Sequence, residues 1–87
     1  MKLIYCPVCN DVRKINPRKV VDCECGKSWG VYEKDGLNAT YGGKAIPLGF
    51  NNSSFLSAID SQPLCGLGSH FEAFVIPIWC DTYERVT

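Results

Sequence analysis

The chain has no net charge, no long apolar run and almost no helix. Nine Lys and Arg balance nine Asp and Glu, so no broad basic field exists to hold nucleic acid across the whole surface. No stretch approaches the ~20 apolar residues that span a membrane. The longest, Phe71 to Trp79, is broken by Glu72 and Pro77. Only Leu3, Ile4 and Tyr5 separate Met1-Lys2 from Cys6, short of the ~7–15 apolar residues of a secretory signal. These absences lead us to expect a soluble protein of a reducing cytoplasm. There, clustered cysteines serve as metal ligands more often than as disulfides. Internal repeats and low-complexity segments are lacking too. Neither Gly42-Gly43-Lys44 nor Gly66-Leu67-Gly68-Ser69 matches GxxxxGK[ST] or GxGxxG, so both read as turns and not as phosphate cradles.

What is abundant is cysteine: six in 87 residues. A chain this short buries only about 60–65% of its unfolded surface, so its core alone is marginal. Small proteins of this kind need a staple. Cys6-Pro-Val-Cys9 and Cys23-Glu-Cys25-Gly26 supply one. Structural zinc takes four ligands in a tetrahedron with Zn–S distances of about 2.3 Å. A tight turn aims two sulfurs at one point, and the thirteen residues between Cys9 and Cys23 suffice for a short hairpin joining the pairs. Four thiolates leave no open position, so the expected site holds one structural Zn²⁺. An iron–sulfur cluster or two disulfides are the alternatives.

At these cysteines the chain resembles the zinc-ribbon family over its first third. The one-residue spacer of the second pair departs from the usual two. The run from Cys25 through Gly26-Lys27-Ser28-Trp29-Gly30 to Asn51-Asn52-Ser53-Ser54-Phe55 is similar to small, uncharacterised zinc-ribbon proteins of phages and prophages. That resemblance implies a phage-encoded accessory protein in the cytoplasm of a bacterial host, acting on a host protein, with a defence component among the candidates.

The remaining chain reads as α+β, giving an N-terminal zinc ribbon (1–28) packed on a small domain (29–87). The expected order of the second part is β-β-β-α-β in one mainly antiparallel sheet. Trp29–Glu33, Leu37–Tyr41 and Lys44–Phe50 form a meander around Asp35-Gly36 and Gly42-Gly43 turns. Pro47 marks an edge strand or a bulge. Residues 51–62 form the one helix, capped by the Asn51–Ser54 run and ended by Pro63. Its Phe55, Leu56 and Ile59 are expected to dock on Ile46, Leu48, Val75 and Ile78. Phe71 to Trp79, apolar on both faces, reads as a central strand.

Charge is unevenly spread. Residues 1–28 carry six cationic side chains against three acidic ones, and residues 29–87 carry three against six. Arg13, Lys14, Arg18 and Lys19 could contact phosphates, with Tyr5 or Trp29 stacking a base. They equally offset the charge of about −2 that four thiolates leave on one Zn²⁺. Lys44 with Asn51, Asn52 and Ser53 is the candidate contact for an anion or small ligand at a helix start. Cys65, His70 and Cys80 match no ligand spacing and read as core or idle groups. No catalytic set is visible. The expected function is therefore a non-enzymatic, zinc-stabilised binding module. Nucleic-acid binding is one alternative, and an oligomeric nucleotide or small-molecule binder is another.

Overall fold

The computed structural model describes residues 1–86. Its eight strands are β1 (Lys2–Tyr5), β2 (Val12–Lys14), β3 (Val21–Asp22), β4 (Ser28–Tyr32), β5 (Ala39–Gly43), β6 (Ile46–Phe50), β7 (Ala73–Val75) and β8 (Tyr83–Arg85). One helix, α1 (Asn52–Asp60), lies between β6 and β7. The fold is α+β, and the order β-β-β-α-β holds for β4 to β7. The strands lie in two four-stranded sheets instead of one, ordered β2-β1-β6-β7 and β3-β4-β5-β8.

Each cysteine pair turns its own hairpin. β2 folds back on β1, with Ile4 opposite Arg13. β3 pairs with β4, with Asp22 opposite Trp29. The short hairpin expected between Cys9 and Cys23 is therefore absent, because its two halves are claimed by different sheets. The meander also stops one strand early. β5 returns on β4, with Gly30 opposite Tyr41, but β6 leaves to pair with β1, with Leu3 opposite Leu48. Pro47 sits inside the sheet, opposite Ile4. Its carbonyl accepts from the Ile76 N–H at 2.9 Å. A residue's N–H and C=O point to the same side of a strand, so the donor that proline lacks would have faced β7 near the end of that three-residue strand.

The core lies between the sheets. Ile4, Ile15, Ala39, Tyr41, Ala45, Ile76 and Tyr83 form one buried cluster. The rings of Tyr41 and Tyr83 meet edge-on at 4.9 Å. A Cβ placed on Gly30 would lie 2.9 Å from Ile15 Cγ2 and 3.0 Å from Ile4 Cγ2. Glycine here is what lets the sheets close to packing distance. β8, in a tail without a sequence assignment, pairs parallel to β5 and brings Tyr83 beside Ala39.

The C-terminal half departs furthest from the sequence reading. α1 is capped as expected, Asn51 Oδ1 accepting from Ser54 N at 3.0 Å. Yet it has no buried residue, and Leu56 and Ile59 are 59% and 51% exposed. Its anchor is aromatic: the Phe55 ring lies 5.5 Å from Phe50 and 4.9 Å from Phe71. Docking of Leu56 and Ile59 on the sheet is thereby corrected. So is the central strand, since β7 is three residues long, all exposed, at a sheet edge. Only Ile76 of that apolar run is buried. Glu72 and Pro77 flank the strand, and the proline cannot continue the ladder.

Candidate metal centre

Two similar turns build the site. In the first, Cys6 N–H donates to the Asp11 carbonyl at 2.9 Å, and Asn10 N–H donates to the Cys6 carbonyl at 2.7 Å. In the second, Cys23 N–H donates to the Ser28 carbonyl at 2.9 Å, and Gly26 N–H donates to the Cys23 carbonyl at 3.1 Å. In each, the residue after the second cysteine is left-handed: Asn10 with φ 59° and Gly26 with φ 78°. Asparagine and glycine are the residue types that enter that region most readily. Tyr5 Oη fixes Asn10 by donating to its Oδ1 at 2.6 Å.

The turns bring the Sγ atoms of Cys6, Cys9, Cys23 and Cys25 within 4.8 Å of one another. Cys6 Sγ lies 3.7 Å and Cys23 Sγ 3.5 Å from Cys25 Sγ. A disulfide needs about 2.05 Å, and all four thiols are free. Four sulfurs at about 2.3 Å from a tetrahedral zinc stand about 3.8 Å apart. The spacing therefore suits a tetrathiolate centre able to hold one metal ion.

The electrostatics point the same way. Burial alone pushes the Cys6 thiol up, but the Ser28 hydroxyl and the backbone at Cys9 and Val8 outweigh it and bring it down to about 6. Cys23 also falls below the usual thiol range. Burial opposes this, while hydrogen bonds from Cys25 and from Ser28 N–H, the latter at 3.3 Å, favour it. Cys25 gains stabilisation from the Lys27 backbone. Burial and the neighbouring sulfurs nonetheless push it up to about 12. Sulfurs this close cannot all ionise beside one another, and a bound divalent cation is what would let them. Ser28 serves this centre twice. Its hydroxyl is fully buried without a hydrogen bond of ordinary geometry, and its nearness lowers the Cys6 thiol.

Asp11 joins the two turns. Its Oδ2 accepts from Glu24 N–H at 2.9 Å and from Arg13 Nε at 2.6 Å. The Arg13 hydrogen bond holds the carboxyl below its usual range against the opposing effect of burial, and the Glu24 N–H adds to the lowering. Asn10, Asp11 and Ser28 were missed in the sequence. The available signal was the matched position after each cysteine pair, asparagine in one and glycine in the other.

The other expected site residues are dispersed. Arg13 is occupied by Asp11, whereas Lys14, Arg18 and Lys19 are exposed. Lys44 and Asn51 lie at opposite ends of β6, a five-residue strand of about 17 Å. Asn51 caps α1, Asn52 Oδ1 accepts from the Met1 amino group at 2.9 Å, and Ser53 is exposed. Lys44 donates its backbone N–H to the Lys27 carbonyl at 2.8 Å, beside the second cysteine turn. Cys65 is exposed, not packed in the core. Cys80 is half-buried against the core cluster, and His70 is exposed. Among the described residues, the four N-terminal cysteines are the one group of three or more His, Cys, Asp or Glu spaced to hold a metal.

No helix among the described residues is long and apolar enough to cross a membrane. Comparison of the chain with protein-family models, curated proteins and solved structures finds no match.

Proposed function

We propose that the protein is a zinc-stabilised, non-enzymatic module that binds another protein chain. The tetrathiolate geometry carries this reading. Four cysteine sulfurs within 4.8 Å suit zinc among the divalent metals and leave it no position for a substrate or water. Metal there would clamp β1–β2 of one sheet to β3–β4 of the other and so act on stability. Binding then falls to the surface, where Leu64, Leu67 and Trp79 stand fully or almost fully in solvent. Exposed apolar surface of this size is what a protein partner would cover. The resemblance to phage zinc-ribbon proteins is the support for a phage-encoded role and for a host protein as a further target.

Elemental analysis of the purified chain is expected to give one zinc per chain in a colourless protein. Less than half an equivalent, or a coloured iron-bearing protein, would refute the zinc centre. The Cys9→Ser variant is expected to lose the metal and the cooperative melting transition together.

Nucleic-acid binding is a second reading, favoured by the exposure of Lys14 at the end of β2 and of Arg18 and Lys19 in the segment that follows it. A gel shift at low salt, lost when these three become Ala, would support it. A shift retained by that variant would exclude these residues.

A further inference from the structure

We propose that the open edge of β7 pairs with the same edge of a second copy, making the protein a two-fold dimer with one continuous eight-stranded sheet. This deepens the reading of the chain as a protein-binding module and rests on it.

The first argument is area. A compact monomer of 9.7 kDa exposes about 5,100 Å², whereas this chain exposes 6089 Å². Its radius of gyration is 14.1 Å, against about 12 Å for a compact chain of this length. The excess of about 1,000 Å² compares with the ~800 Å² that each partner buries in a standard interface. β7 contributes to it, since Phe74 and Val75 are 52% and 67% exposed.

The second argument is the contrast between the two edges of one sheet. β2, the outer strand at one end, carries Arg13 and Lys14. Charges of this kind are how edge strands avoid pairing with other chains. β7 at the other end is Ala-Phe-Val with no charge, and between residues 61 and 80 Glu72 is the one formally charged side chain.

The third argument is register. Asn51 N–H donates to the Glu72 carbonyl, and Ile76 N–H donates to the Pro47 carbonyl, both at 2.9 Å. Residues 72, 74 and 76 thus direct their backbone groups toward β6 and its continuation. By alternation, the N–H and C=O of Ala73 and Val75 point outward. A two-fold axis at Phe74 would set Ala73 against Val75 of the partner subunit and the reverse. That arrangement satisfies every outward group with four hydrogen bonds. It also places the two half-exposed Phe74 rings on one face as a cross-strand aromatic pair. Such an isologous contact closes on itself. The zero net charge puts no long-range repulsion between copies.

The test is sedimentation equilibrium of the zinc-loaded chain, with hydrogen exchange at the β7 amides. At about 100 μM, above the Kd of a standard-size interface, the mass is expected to be twice 9.7 kDa. The Ala73 and Val75 amides should exchange slowly there and quickly on dilution. Val75→Lys is expected to give a monomer with its zinc and circular dichroism unchanged. Val12→Lys, on the opposite edge, should remain dimeric. A monomeric zinc-loaded wild type at that concentration would overturn the dimer while leaving the metal-stabilised module standing. A dimer whose Ala73 and Val75 amides exchange freely would overturn the β7 interface. A metal-free chain would instead refute the underlying module.

Discussion

Tyr83 donates its buried hydroxyl to the carbonyl of Leu3 at 3.0 Å, joining the last strand to the first across the core. Both residues are buried, Tyr83 completely. Burial, with the Tyr32 and Tyr41 hydroxyls nearby, holds the phenol protonated far above its ordinary range, so it remains a donor at any working pH. Tyr83→Phe keeps the ring contact with Tyr41 and leaves the Leu3 carbonyl without that donor. A loss of about 1–2 kcal/mol is expected in urea denaturation. No change would mean that the sheets are not joined there.

Asp11 supports the cysteine cluster from outside it, by joining the two turns. Removing its carboxylate frees Glu24 N–H and Arg13 and unties the two cysteine turns. Asp11→Ala is expected to weaken zinc affinity by about 10- to 100-fold in competition with a chromophoric chelator. Unchanged affinity would place the organising force elsewhere in the turns.

Gly30 is where β4 meets the Ile4 and Ile15 side chains. Gly30→Ala overfills that contact and is expected to cost about 1–3 kcal/mol. Equal stability in thermal melts would show that the sheets can separate at little cost.

Asp35 organises the turn between β4 and β5. Its carboxylate accepts from Leu37 N–H and Asn38 N–H, both at 2.9 Å, and from Asn38 Nδ2 at 2.7 Å. These bonds, the Leu37 N–H foremost, lower its pKa. A group whose pKa falls on folding stabilises the fold above its unfolded value of about 3.9. That contribution fades as pH falls through the lower, folded value. Wild type is therefore expected to exceed Asp35→Asn in stability at pH 6, with the gap shrinking below about pH 4. A gap independent of pH would remove the carboxylate from the turn's stability.

The six cysteines separate by position. Cys65→Ser lies in an exposed loop and is expected to stay within about 0.5 kcal/mol of wild type. The same change at Cys23, buried and bonded to Ser28, should abolish metal binding. Equal melting curves for the two variants would contradict the division.

Sequence patterns were most legible where the chain acts on its neighbours. The cysteine spacing, the Asp35-Gly36 turn and the Asn51 cap depend on a few adjacent residues, and each stands where the pattern puts it. The Leu56 and Ile59 stripe and the two-faced Phe71–Trp79 run misled, because hydrophobicity records a need for cover without naming what provides it. Pro47 misled for a related reason. A proline excludes one hydrogen bond on one side of a strand, and only the neighbours decide whether that side needs it.

By itself, then, the sequence determined that four cysteines form two matched turns and that one short helix follows a set of strands. Local backbone geometry and thiolate chemistry suffice for that. The tertiary structure decided that β1 and β6 pair, that β4 belongs to a second sheet, and that the cysteine turns link the two. Those choices depend on contacts between residues distant in the chain. It also decided that the apolar C-terminal limb stands in solvent, since the core between the sheets is already filled by Ile4, Ile15, Tyr41 and Tyr83.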